Sequence, residues 1–423
     1  MMKRRFLLIL LAACLGLTAC QNQGQPAAEV PADTQKPVET TEPVQTTAEP
    51  APQMPDIPEG TGLGINGLDA KLIAYLRANG LEQESFTLSP LSVKAALALT
   101  ALGAEGETQR QILDALGFAD AEQLKTWYAS VLVGVADFDS RIFGEDKADT
   151  AYRVVNAIFH NTSCDGEFQT SYKEQVAKVL AAHAASYPAA EITDAVNQWV
   201  KEQTNGLIPS IVSDASDSAA VLVNALYLKT KWAESFGDSS LTDFTTVTGE
   251  TVQKEFITKT EKFRYYEDDS CQLVVVPLQG GINMVLVLGD GTNLTEKLSK
   301  AEYRKAHVTL PKFEVESSFT EKELVKCLKA MGCVRMFEDG GVAEFNPMFT
   351  KEVFVDDIIH KAKVKVDEKG LEAAAATAVI MTRATAMPNP EEPVEFTADH
   401  PFQFAIIRED DAPELLFWGQ ICD

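Results

Sequence analysis

Apolar residues recur along this chain with two periods, and each predicts elements. Over residues 91–102 nearly every position is apolar, which predicts a helix buried on most sides. Ser89 caps its start, Pro90 takes the first helical position and Gly103 ends it. An amphipathic helix is expected over 108–116, stopped by Gly117, and another over 192–203, before Asn205-Gly206. Leu68, Leu72 and Tyr75 form the apolar face of an earlier helix. VLVNALYL, residues 221–228, is apolar on both faces and reads as a central strand. Asn224 interrupts it, and a buried amide without partners costs roughly 1–3 kcal/mol. QLVVVPL and INMVLVLG, joined by Gln279-Gly280-Gly281, predict a hairpin. VTLPKFEVESSF is a further strand region, and Thr320 with Glu323 suggests a capping box before LVKCLKAMG. In KAKVKV, Ala362, Val364 and Val366 point inward while Lys361, Lys363 and Lys365 point outward. FQFAII and LLFWGQI are two closing strands. Helices dominate the first part and strands the second, without a βαβ rhythm, which predicts an α+β domain with mainly antiparallel sheets.

One stretch fits neither period. DEKGLEAAAATAVIMTRATAMPNPEEP, residues 367–393, carries four alanines that favour helix. Thr377, Val379, Ile380 and Thr382 favour strand, and Pro388, Pro390 and Pro393 disfavour both. By itself the segment reads equally as an exposed linker or short helix and as a strand not yet formed.

Composition bears on partners more than on fold. A net charge of −25 argues against nucleic acid, which needs a basic face. At the N-terminus MMKRR is a positive cap, and the apolar run FLLILLAACLGL is too short to cross a bilayer comfortably, so residues 1–19 are expected to be a secretion signal. Leu17-Thr18-Ala19-Cys20 resembles the bacterial lipobox, which implies cleavage before Cys20 and lipid on that cysteine. Residues 20–58 then form a Pro- and Thr-rich tether that cannot bury enough apolar surface to order itself, and 59–423 the folded domain. The expected location is the outer face of a bacterial envelope, held to its membrane. Cys164, Cys271, Cys327, Cys333 and Cys422 show neither a disulfide framework nor metal spacing and are expected to be buried thiols.

Enzymatic motifs are sparse. Gly62, Gly64 and Gly67 match G-x-G-x-x-G, but a proline-rich tether stands where a dinucleotide site needs a strand. No G-x-S-x-G elbow, P-loop or H-E-x-x-H occurs. His160, His183, His307, His360 and His400 are scattered without metal spacing, so no metal and no cofactor is expected. A Ser-His-Asp set needs no proximity in sequence, so an enzyme stays open at this point.

Several ordered segments together resemble the serpin family. LSPLSVKAALALTALGAEGETQRQIL is similar to its buried second helix and following turn, and NALYLKTKWAESF to its central strand and breach tryptophan. LPKFEVESSF, VDDIIHKAKVKVDEKG and HPFQFAIIREDDAPELLFWGQI are similar to later strands. The resemblance spans nearly all the folded chain. It implies a serpin fold, three mainly antiparallel β-sheets surrounded by helices with an exposed reactive-centre loop. It also implies suicide inhibition of serine proteases. A protease attacks the loop, forms an acyl-enzyme, and is carried off as the cut loop inserts as a new strand. Glu368, Lys369 and Gly370 would be the hinge, and Leu371, Glu372, Ala373, Ala374, Ala375, Ala376 and Thr377 the part that inserts first. Ser89, Ser92, Asn224 and His360 match the shutter cluster, which would supply the Asn224 amide with partners, and Trp232 matches the breach. None of these would be a catalyst.

Counting seventeen residues from Glu368 places the cut between Ala384 and Thr385, which implies an elastase-like target. A cut between Arg383 and Ala384 would imply a trypsin-like one, whose pocket holds an acid for the guanidinium. An inserting strand alternates faces. With Leu371 inward, Ala373, Ala375, Thr377, Val379 and Met381 follow inward, and no proline occurs before Pro388. Leu371 departs from the family, which places a small hydroxyl residue there. Its bulk is expected to slow the first step of insertion and favour turnover as a substrate. A non-inhibitory serpin serving as a surface binding or structural protein is the alternative. A monomer is expected, without polyanion activation, because FGEDKADTAYR is not strongly basic.

Overall fold

The computed structural model describes residues 52–56, 64, 67–319, 322–371, 392–409 and 413–423, together with the backbone of 9–11. Its helices follow the apolar faces of the sequence. α1 (Gly67–Leu76) buries Leu68, Leu72 and Tyr75. α2 (Pro90–Leu102) starts at Ser89, whose hydroxyl accepts from the Ser92 amide, and closes at Gly103. α3 (Gly106–Leu116) ends at Gly117, whose φ of 78° is left-handed and suits glycine. α4 (Ala121–Arg141), α5 (Thr170–Leu180), α6 (Ala189–Gln203), α7 (Leu294–Lys300) and α8 (Glu323–Ala330) follow. The capping box expected of Thr320 and Glu323 does not form. Glu323 is the first helical residue, and Lys322 before it is left-handed, which no right-handed turn accommodates. Thr320 itself lies outside the described residues.

The first sheet is built on β5 (Ala220–Lys231), the strand that Asn224 interrupts. One edge of β5 pairs along its length with β3 (Ala151–Asn161), which pairs in turn with β4 (His183–Tyr187). Among the described residues the other edge has partners only at its ends. Gly370 and Leu371 form β14 (Gly370–Leu371) opposite Lys231 and Thr230. At the far end, β1 (Ile9–Leu11) pairs with Val221 and Ala220, and with β12 (Phe354–Val355) on its other side. Beyond β14 lie β13 (His360–Val366) and β11 (Phe313–Phe319). Among the described residues no ladder joins β5 directly to β13. A seam therefore runs between them, bridged by β14 above, while β1 below joins β5 to β12.

The second sheet contains β2 (Phe86–Leu88), β6 (Ser240–Thr245), β7 (Thr251–Asp268), β8 (Cys271–Pro277), β9 (Ile282–Gly289), β10 (Glu302–Pro311), β15 (Val394–Thr397), β16 (Phe402–Arg408) and β17 (Glu414–Ile421). The resemblance implies three sheets, but here β7 makes one hydrogen-bonded sheet of two of them. Its first part pairs with β6 and β10, its last with β8. The expected strand region VTLPKFEVESSF divides at Lys312, with β10 in the second sheet and β11 in the first.

α2 packs between the sheets, on β5 and β17, and buries Leu91, Leu97 and Leu99 completely or nearly so. Each such side chain contributes about 1.5–3 kcal/mol by leaving water. α6 covers the opposite face of the first sheet, where Ile192, Val196 and Val200 join Phe159, Val221 and Val223 in a second, smaller core. Met54, placed by sequence in the tether, packs against the main core. Four of the five remaining cysteines are buried as expected, but Cys164 is only half-buried, because it lies just beyond the end of β3.

Candidate functional site

The upper end of the seam is a turn clamped from β5. The Asp367 carboxylate accepts from the amides of Lys369 (2.8 Å) and Gly370 (3.2 Å). The three carbonyls of residues 367–369 are each taken by the chain that follows β5. Trp232 donates its indole N–H to the Asp367 carbonyl and its amide to that of Lys369, both at 2.8 Å, and Phe236 donates its amide to that of Glu368 at 3.0 Å. Gly370 has a φ of 150°, and a Cβ there would strike the carbonyl of Thr230, so only glycine fits without strain. Lys312 holds the turn from the corner between the sheets, 3.3 Å from Glu368 and 2.8 Å from Glu255. Glu255 is the main cause that raises the Lys312 pKa. The Glu368 carboxyl is held below its usual range, first by its own amide and then by Lys312.

Leu371 is already in the sheet, opposite Thr230 and Val366, and buried. It lines a cavity together with Leu207, Leu228, Val364, Ile406 and Phe417, and with Lys363 and Lys365. The apolar side chains among them give leucine contacts to bury against. In this structure the bulk of Leu371 has not kept it out.

Lower in the seam, Ser89, Ser92, Asn224 and His360 meet. Ser89 donates its amide to His360 Nε2 at 3.0 Å, and Ser92 donates its hydroxyl to the Asn224 side-chain oxygen. The Asn224 amide group donates to Asn156 at 2.9 Å and to the Val155 carbonyl at 3.2 Å. The buried amide that β5 carries is thus fully partnered. Burial lowers the His360 pKa to about 4, so its ring is neutral and able to accept, and it stacks on Phe319. A cavity lined by Ser92, Val223, Asn224, Ile358 and His360 opens beside them.

Ion pairs lace each side of the seam separately. Lys361 and Lys363 of β13 pair with Glu316 and Glu314 of β11 at 3.0 and 2.7 Å. Lys231 and Lys229 of β5 pair with Asp146 and Asp149 at 2.7 and 3.4 Å. Among the described residues no ion pair joins β5 to β13. The two sides are each stitched internally, and β14 pairs with both of them at the upper end.

The structure therefore brings together Ser89, Ser92, Asn224 and His360, and separately Trp232 with Glu368, Lys369, Gly370 and Leu371. Glu372 to Thr377, Arg383, Ala384, Thr385 and Cys20 lie outside the described residues. Two participants were missed in the sequence. Asn156 interrupts the apolar run from Val154 to Phe159 within β3, as Asn224 interrupts β5, so the same rule would have found it. Lys312, a single charge between strands, gave no signal. His160, His183, His307 and His400 occupy four other places, and no described histidine joins a serine hydroxyl to a carboxylate. Among the described residues no three metal-ligating side chains converge, and no helix is long and apolar enough to cross a membrane.

Comparison with known proteins agrees with this architecture. The profile of the serpin (serine protease inhibitor) family matches residues 66–423. Leukocyte elastase inhibitor A of Mus musculus is 31% identical over 369 residues, covering 79% of this chain and 92% of its own length. A cleaved serpin, Serpin 42Da, superposes with a TM-score of 0.69 at 25% identity, over 84% of this chain and 96% of its own. Tengpin, a thermophilic serpin in its native state, superposes with a TM-score of 0.71 at 23% identity, over 86% and 96%.

Proposed function

The chain belongs to the serpin family, and we propose that it traps elastase-like serine proteases covalently at the outer face of a bacterial envelope, anchored by lipid on Cys20. The observation that carries this reading is the edge of β5 facing β13, which has no partner between β14 and β1 among the described residues, with Leu371 already seated at its upper end. The protease serine oxygen would bond to the Ala384 carbonyl carbon, and the bond to Thr385 would break, its nitrogen leaving as a new amino terminus. The segment before the cut would then fill the seam.

The register of β14 supports that route. Continued downward, it places Ala373 opposite Leu228 and Val364, and Ala375 opposite Leu226 and Ala362, all inward-facing. Thr377 would arrive between Asn224 and His360, so the shutter would open to admit a hydroxyl side chain. Residues 380 and 381 would need Val221 and Ala220, which β1 occupies. Cleavage before Cys20 would remove β1 and clear the lower seam.

The elastase-like preference is supported by the small side chain of Ala384 and by the name of the relatives. Arg383 offers a trypsin-like alternative. The test is to mix the protein with elastase and with trypsin, run a denaturing gel, and weigh the released peptide. A covalent complex with elastase and a peptide starting at Thr385 are expected. A peptide starting at Ala384 would assign the cut to Arg383. Loop cleavage without complex and without a gain in melting temperature would overturn trapping altogether.

A further inference from the structure

The shutter is one arc of a closed ring. Beyond Asn224 the side-chain amide of Asn156 donates to the hydroxyl of Tyr128 on α4. The next residue on that helix, Trp127, donates its indole N–H to Glu414 of β17 at 2.8 Å. Glu414 pairs with Lys94, which lies on α2 two residues after Ser92, and Ser92 returns to Asn224. The Lys94 ammonium also lies 5.5 Å from the Trp127 ring centre, a favourable cation–π placement. Every side chain in the ring except Trp127 is buried, and Trp127 and Tyr128 touch edge to face with ring centres 5.7 Å apart. Burial pushes the Tyr128 phenol up to about 12, so it stays a neutral partner.

The ring threads α2, β5, β3, α4 and β17. Neither α2 nor α4 can shift without straining a buried polar contact, and each such contact is costly to leave unmade in an apolar setting. The shutter residues sit on the same ring. We infer that Tyr128 and Trp127 are positioning residues through which the seat of α4 sets how readily the seam between β5 and β13 opens. They touch neither the loop nor a protease, and they act through Asn156, Asn224 and Lys94. This rests on the reading of the seam as the place of insertion, but the seam can be followed with no protease present.

The experiment follows hydrogen exchange of the β5 amides over residues 222–229, and the rate at which uncut protein loses inhibition on warming while gaining heat resistance. Tyr128→Phe removes one hydroxyl and Trp127→Phe one N–H. Each is expected to speed both processes about five- to tenfold, the scale of one lost hydrogen bond. A ring broken once gains little from a second break, so the double variant should be far less than the product of the two. Tyr172→Phe is the control, since it deletes a buried hydroxyl bonded to the Leu99 carbonyl outside the ring, and it should leave both rates near wild type. Multiplicative effects, or an equal acceleration in Tyr172→Phe, overturn the inference. Wild-type protein that inhibits no protease overturns the inhibitory reading alone, because exchange at β5 still reads the ring.

Discussion

The indole N–H of Trp232 donates to the carbonyl of Asp367 at 2.8 Å, tying the end of β5 to the residue before the hinge. That bond fixes where β14 enters the sheet. With the amides of Trp232 and Phe236 bound to the next carbonyls, the turn is held at three successive points.

Trp232→Phe keeps an aromatic ring but leaves the Asp367 carbonyl without its donor. The expected cost is about 1–3 kcal/mol of native stability. The amides of Lys369, Gly370 and Leu371 should exchange faster while those of β13 do not. Uniform acceleration across the sheet would show that the indole stabilises the whole fold and does not anchor the hinge.

Gly370→Ala addresses the close approach to Thr230 and Lys231. A side chain there meets backbone on β5, in a conformation that costs about 1–3 kcal/mol for other residues. The variant is expected to expel β14, leave Leu371 exposed, and be cut by elastase as a substrate with less complex per cleavage. Titration of elastase against each protein gives the ratio, and an unchanged ratio would place the rate-limiting step further down the seam.

Much of this arrangement was legible because it rests on period and on single exceptional residues. KAKVKV alternates so strictly that the inward set Ala362, Val364 and Val366 and the outward lysines followed directly, though not the pairing of those lysines with Glu314 and Glu316. Asn224 announced a polar cluster by standing in an apolar strand. The ring was not legible. Lys94 lies in an apolar helix, Glu414 opens an apolar strand, and nothing local pairs residues 320 positions apart. The merging of two sheets through β7 was hidden for a related reason: period shows that a strand exists, not how many neighbours it has along its length. The setting of Leu371 was hidden because Leu207, Leu228, Ile406 and Phe417, which line its cavity, lie far away in sequence.

Two buried groups pull stability in opposite directions with pH. His360 is lowered to about 4, so between there and 6.5 the unfolded chain binds a proton that the native protein refuses. Its contribution is therefore lost as pH falls through that window, by on the order of 3 kcal/mol. Asp357 is raised to about 7 by burial, so the native protein keeps a proton there that the unfolded chain releases, and its term improves as pH falls. Urea unfolding from pH 8 to 4 separates them. The advantage of wild type over His360→Gln should shrink on acidification, whereas Asp357→Asn should exceed wild type at pH 8 and converge with it near pH 4. Parallel curves for His360→Gln would mean that its ring takes up its proton in the native protein as readily as in the unfolded chain.

The Lys94–Glu414 pair should show the asymmetry of a buried charge. Both side chains are almost wholly inaccessible, and Asp69 lies 3.9 Å from the same ammonium. Lys94→Met leaves the carboxylates of Glu414 and Asp69 without this cation and is expected to cost about 3–5 kcal/mol. Glu414→Gln leaves Lys94 with Asp69 alone and should cost less. The double change to Met and Leu should cost less than Lys94→Met because one stranded carboxylate is gone. Burial already lowers the Lys94 pKa. Without Glu414 the native protein would lose that proton more readily than the unfolded chain. Stability of Glu414→Gln should then rise with pH from 7 toward 10, where the unfolded lysine also begins to lose its proton. Wild type should show a weaker rise. Losses that simply add in the double variant would show that the two charges do not depend on one another, and that the ring through Trp127 is closed by packing alone.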